Sequence, residues 1–305
     1  MLSRRALLVA LAGAALPLPS RAQERITVVA SFSILGDLVR AVGGGRIALS
    51  QLVGPDGDAH VYSPTPADAK TLAAARLIVV NGLGFEGWMT RLMRTSGARG
   101  RLVTVADAIV PLKARGGHDH GHSHAHGASD PHAWQDVRNA KAYVGAIRDG
   151  LIAADPDGRA VYEANATAYL AELDALHEAI LAAVARIPHE RRRAITAHDS
   201  FGYFERAYGI AFMSPQGVST ETEASARDVA RIIRQVRSEK AAAVFLESIA
   251  NPRLAEQLAR ETGARIGGRL YSDALSGPQG PAATYIAMMK HNISEIEKAL
   301  AAGPA

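Results

Sequence analysis

Gly158-Arg-Ala-Val-Tyr-Glu-Ala-Asn-Ala-Thr-Ala-Tyr-Leu-Ala-Glu-Leu-Asp-Ala-Leu-His-Glu-Ala-Ile-Leu-Ala-Ala-Val-Ala-Arg-Ile187 carries one unbroken helical pattern. Val161, Leu170, Leu173, Leu176, Ile180, Leu181 and Val184 recur at spacings of mostly three and four, which gathers them on one helix face. Pro188 stops the pattern, and Asp155-Pro156-Asp157 parts it from an earlier helix over 136–153. A helix of this length runs ~45 Å, more than one small domain needs. The stretch therefore predicts a rigid rod at 156–188, joining an N-terminal lobe at 23–155 to a C-terminal lobe at 189–305. A coiled-coil dimer arm is the alternative; sustained heptads are missing, so a monomer is expected.

Both flanks alternate between β-branched runs and helical patterns. The first flank predicts strands at 25–31, 47–53, 77–80 and 102–105, with helices at 32–42, 66–75 and 86–95. The second predicts strands at 194–197, 210–213, 242–246 and 265–270, with helices at 200–208, 225–240, 252–262 and 281–300. Alternation of this kind makes an α/β protein of two lobes, each a mostly parallel β-sheet flanked by helices. The halves share no clear sequence repeat, so their likeness is architectural.

The formal charge of +4 is misleading. Arg4, Arg5 and Arg21 lie in residues 1–22, which hold no acidic residue, and without them the charges nearly balance. That argues against a nucleic-acid partner. Residues 1–22 read as a secretory signal peptide: a basic start, an apolar run too short to span a bilayer, and Ser20-Arg21-Ala22 as a cleavage pattern. Ser3-Arg4-Arg5-Ala6-Leu7-Leu8 also resembles a twin-arginine signal. The expected address is the periplasm. The chain has no cysteine, which excludes disulfides, thiolate metal sites and a lipid-modified N-terminal Cys.

Eight of the eleven histidines are candidates for metal chemistry. His118, His120, His122, His124 and His126 alternate with small or acidic residues in a loop at 116–128 that has no apolar face. Neutral imidazoles on such a tether suit auxiliary capture of a borderline cation; an expression tag would sit at a chain end. Three other histidines follow ordered elements. His60 comes just past the second strand, His132 stands at the entrance to the helix at 136–153, and His198 ends the first strand of the second half. Asp273 lies just past the last strand. Ligands of open α/β sheets bind beyond the carboxyl ends of the strands, so these four converge if the lobes face each other.

The motifs are His60-Val-Tyr-Ser-Pro, Asp130-Pro-His-Ala-Trp-Gln-Asp, Ala197-His-Asp-Ser-Phe-Gly-Tyr-Phe, Leu270-Tyr-Ser-Asp-Ala-Leu-Ser and the closing Tyr285-Ile-Ala-Met-Met-Lys-His-Asn. In these the chain resembles the cluster A-I metal-binding solute-binding proteins of bacterial ABC importers, the zinc and manganese receptors. The resemblance covers essentially the whole chain after the signal and implies a metal held between the lobes by His60, His132, His198 and Asp273. At the third position manganese receptors commonly have Glu and zinc receptors commonly His, although some manganese-handling members also have His. The His-rich loop resembles the zinc-specific branch. Two features depart from the pattern: the cysteine pair of many zinc receptors is absent, and Ala59 stands beside the first His, with Asp58 expected not to reach the metal.

Three imidazoles and a carboxylate suit tetrahedral Zn²⁺, whereas manganese prefers more oxygens. The expectation is a periplasmic zinc receptor, not an enzyme, that passes Zn²⁺ to an ABC permease in the inner membrane, with a periplasmic zinc chaperone as a further partner. A manganese receptor, a zinc-dependent hydrolase and a zinc buffer are the alternatives; no His-Glu-x-x-His pattern supports the hydrolase. Asp130, Asp136, Asp199 and Glu247 read first as helix caps, for the first three, and as solvent-exposed, for Glu247; orienting ligands from behind is the alternative for each. His177 and His189 read as surface residues, and His291 as structural.

Overall fold

The computed structural model describes residues 25–115, 129–239 and 241–301; the expected signal peptide and the histidines of the 116–128 loop lie outside them. Each lobe is built on four parallel strands. β1 (Ile26–Phe32), β2 (Ile47–Val53), β3 (Leu77–Val80) and β4 (Arg101–Thr104) stand in the order β2-β1-β3-β4. β5 (Arg193–Ile195), β6 (Ala211–Met213), β7 (Ala243–Glu247) and β8 (Arg265–Leu270) repeat that order as β6-β5-β7-β8. β3 is buried at every position and β1 at all but one, as befits strands covered on both faces. In each sheet the order reverses at the central pair, and that opens a crevice at the carboxyl ends of the strands.

Helices α1 (Ser33–Gly43), α2 (Pro66–Ala73), α3 (Met89–Ser96) and α4 (Val137–Ala154) belong to the first lobe. The rod is α5 (Arg159–Ala185), ~40 Å long by helical rise. Helices α6 (Gly202–Tyr208), α7 (Ala226–Glu239), α8 (Pro252–Thr262) and α9 (Tyr285–Ala301) complete the second lobe. α5 packs against α1 and α4 on one side and against α6 and α9 on the other, so a single helix underlies both sheets. Its buried stripe runs through Tyr162, Leu173, Leu176, Ile180 and Val184, while Val161 and Leu181 are 40% and 38% exposed. The apolar face is narrower than the spacing alone suggests. Leu173→Ala is expected to cost ~2–5 kcal/mol in denaturant unfolding, whereas Val161→Ala should stay within ~0.5 kcal/mol.

One boundary shifts for a physical reason. The helix expected from residue 86 begins at Met89, because Gly82, Leu83 and Gly84 all have positive φ and fold the chain back on itself. That turn carries the Glu86 carboxylate inward, where it accepts from Ser31 Oγ (2.5 Å) and from the backbone N–H groups of Asn81 (2.8 Å) and Gly82 (3.2 Å).

Candidate metal centre

Three strand ends and the entrance to α4 place one donor each. Past β2, Asp58 Oδ1 accepts from the His60 backbone N–H (2.9 Å), and its Oδ2 accepts from Thr220 Oγ1 (2.7 Å). With both oxygens engaged, Asp58 shapes the loop and stands outside the donor cluster. Ahead of α4, Asp130 Oδ1 lies 2.9 Å from the His132 backbone nitrogen and 2.8 Å from its Nδ1. This fixes the ring and leaves Nε2 pointing away. Past β5, the Glu247 Oε1 atom accepts from the backbone N–H groups of Ala197 (2.6 Å) and His198 (3.0 Å), and Oε2 lies 2.6 Å from His198 Nδ1. Past β8, the loop bearing Asp273 is tied to the other lobe: Trp134 Nε1 and Gln135 Nε2 both donate to Ser272 O at 2.8 Å.

The four donors meet. His198 Nε2 and His60 Nε2 lie 3.1 and 3.3 Å from Asp273 Oδ2, and His132 Nε2 lies 3.5 Å from Asp273 Oδ1. All four ligand atoms fall within 4.8 Å of one another, and among the described residues no other group of His, Asp or Glu is so arranged. His132, His198 and Asp273 are wholly buried and His60 is nearly so. Yet His60 Nε2, His132 Nε2 and Asp273 Oδ1 have no hydrogen-bond partner in the protein. Buried polar atoms left unpaired are costly, and here they aim at one point. A cation at that point would satisfy them all.

The electrostatics match. Burial opposes charge on His132, but the Asp273 and Asp130 carboxylates outweigh it and push the imidazole up to about 9. Burial is likewise overcome at His198 by Glu247 and Asp273, which hold it well above the ordinary histidine range. Burial would raise Asp273, but the two imidazoliums hold it well below the usual carboxylate range.

The candidates for a place behind the ligands divide. The Asp130 and Glu247 carboxylates face the Nδ1 atoms of His132 and His198, and Glu247 is buried, not exposed. Asp136 is the N-cap of α4, accepting from Arg138 N–H (2.9 Å). Asp199 is buried, and its carboxyl, raised by burial and by nearby Asp130, makes no hydrogen bond to a ligand among the described residues. His177 is half-buried, its Nδ1 3.1 Å from Tyr208 Oη, so it is not simply a surface residue. His291 Nε2 lies 2.9 Å from Arg269 O, in keeping with a structural role, and His189 is exposed.

The family described as "ZnuA: Zinc-uptake complex component A periplasmic" matches residues 28–299. The manganese-binding lipoprotein MntA of Halalkalibacterium halodurans is 35% identical over 272 residues, covering 88% of this chain and 87% of that protein. The zinc-binding protein TroA of Treponema pallidum is 35% identical over 280 residues, covering 90% and 88%. The iron-binding protein YfeA of Yersinia pestis is 32% identical over 92% of this chain and 88% of its own length. The solved structure of TroA superposes with a TM-score of 0.83 at 32% identity, covering 91% of this chain and all of that one. A manganese-bound periplasmic metal-binding protein of Candidatus Liberibacter asiaticus gives 0.78 at 31% identity, over 90% of this chain and all of its own.

Proposed function

The chain belongs to the family of the periplasmic zinc-uptake complex component A, the metal-binding receptors of ABC importers, and from this premise we propose that its cargo is Zn²⁺, held by His60, His132, His198 and Asp273. Relatives are named for manganese, iron and zinc, so the choice of metal rests on the donor set. One observation carries it: three buried imidazole nitrogens and a single carboxylate converge on one point. That set suits four-coordinate zinc, while manganese favours more oxygen donors. Four protein donors leave no open position for a reactive water, which suits a carrier and not a hydrolase.

The receptor would deliver zinc to an inner-membrane permease, as a monomer exported by its N-terminal signal. The histidines at 118, 120, 122, 124 and 126 would collect zinc near the cleft or accept it from a chaperone. The rod α5, packed on helices of both lobes, supports small lobe movements in place of wide hinge closure.

Competition tests the reading. Metal-stripped protein should take up one tight zinc that excess manganese does not displace, with weaker equivalents lost on deleting residues 117–127. Manganese competing on equal terms would assign the chain to manganese.

Binding should also release protons. A ligating imidazole must be neutral, and in the metal-free protein His132 holds its proton up to about pH 9. Zinc therefore displaces that proton at neutral pH, and apparent affinity should fall about tenfold per pH unit per displaced proton as pH drops below that value. Calorimetry in buffers of different ionisation enthalpy counts the protons; no release at neutral pH would contradict the charge-balanced site.

A further inference from the structure

Tyr203 lies on α6 of the second lobe and is completely buried, yet its hydroxyl serves the first lobe. It accepts from the Leu112 backbone N–H at 2.8 Å and donates to the Asp130 carbonyl at 3.1 Å. Leu112 and Asp130 are themselves joined, Asp130 N–H donating to Leu112 O at 2.9 Å. Asp130 is the residue whose carboxylate fixes the His132 ring. Next to Tyr203, Gly202 lets α6 approach so closely that a Cβ there would sit 2.6 Å from Asp130 Oδ2.

The first lobe holds the same turn independently. Asn81 Nδ2 donates to the Pro131 carbonyl at 2.9 Å, and Asn81 Oδ1 accepts from Tyr143 Oη at 2.8 Å. The Asp130–His132 turn is therefore held from both lobes, by Asn81 and Leu112 from its own and by Tyr203 from the other. The pin from the second lobe comes from the helix that follows His198 in the chain.

We infer that Tyr203 is a positioning residue that couples the arrangement of the lobes to retention of the metal. Its hydroxyl holds the turn of one lobe's ligand from the other lobe. When the lobes part, this support leaves with α6, while Asn81 keeps the turn attached to its own sheet. His132 then loosens in place without its lobe unfolding, and the cation is released. This inference rests on the metal-receptor reading.

The test loads the chain with Co²⁺, whose visible absorption reports ligand geometry, and follows transfer of the ion to excess chelator. Tyr203→Phe keeps the buried ring and removes only the hydroxyl. It should speed release about tenfold, the scale of one net hydrogen bond, and should shift the Co²⁺ bands. Gly202→Ala, which presses on the Asp130 carboxylate, should act in the same direction. Tyr208→Phe is the matched control: its hydroxyl accepts from Val137 N–H (3.4 Å), away from Asp130, so its loss should leave release and spectrum as in the wild type. Release from Tyr203→Phe at the wild-type rate, or at the rate of Tyr208→Phe, would overturn the inference alone. A wild-type chain that takes up no Co²⁺ would remove the receptor reading with it.

Discussion

Asp273→Ala is expected to abolish the tight metal site, lowering zinc affinity by more than the ~10–100-fold lost when a group behind a ligand is removed. Asp273 is the only carboxylate among the four donors, and its two oxygens face all three Nε2 atoms at 3.1–3.5 Å. Among the described residues no other carboxylate joins the donor cluster: Asp58 is engaged by His60 and Thr220, and the Asp130 and Glu247 carboxylates face the Nδ1 sides of the rings. The metal-free variant should still fold. Without Asp273 the raised pKa values of His132 and His198 lose one of their supports, so both imidazoles should shed protons at lower pH and avoid persisting as unpaired buried cations. Zinc titration monitored by calorimetry, with the histidine resonances followed by NMR, reads both effects. Stoichiometric tight zinc in Asp273→Ala would mean that the cation sits elsewhere.

The second large effect is expected at Glu247, where the change of a single atom type should be enough. Glu247→Gln keeps an oxygen for the Ala197 and His198 backbone N–H groups, now bound at 2.6 and 3.0 Å. With that oxygen so held, the new NH₂ faces His198 Nδ1, which lies 2.6 Å from Oε2 in the wild type. An amide donor requires Nδ1 to accept, and that moves the ring proton to Nε2, the atom that must ligate. Zinc affinity should fall about 10–100-fold while the fold is kept. Glu247→Ala should lose affinity and also ~1–3 kcal/mol of stability for a buried donor left unpaired. Thermal melts of the metal-free proteins separate the two variants. Equal affinity in Glu247→Gln and the wild type would show that the Glu247 contact does not set the tautomer.

These two residues also mark where the sequence was legible and where it was not. Asp273 could be picked out because it follows a strand, within a motif, at the position where open sheets bind ligands. The strands and the rod followed from periodicity, His60 and His198 from the same positional argument, and His132 from its place at a helix entrance. Glu247 could not be weighed in this way. It ends β7, and whether such a residue faces solvent or the back of a histidine depends on its neighbour β5, to which no local pattern refers. Asp136 and Asp130 present similar sequence contexts near His132; one caps a helix and the other braces the ring, and only the path of the turn separates them. Trp134, Gln135 and Tyr203 lay inside the quoted motifs, but their partners, Ser272, Leu112 and Asp130, belong to the opposite lobe. Contacts between lobes have no period along the chain.

X-ray absorption of protein loaded with one equivalent of zinc reads the donor set directly. Four light donors are expected, three of them imidazole nitrogens at ~2.0–2.1 Å and one carboxylate oxygen at ~2.0–2.2 Å, with the imidazole scattering reduced in His198→Ala. A five- or six-coordinate, oxygen-rich shell, or one unchanged by His198→Ala, would contradict the proposed site.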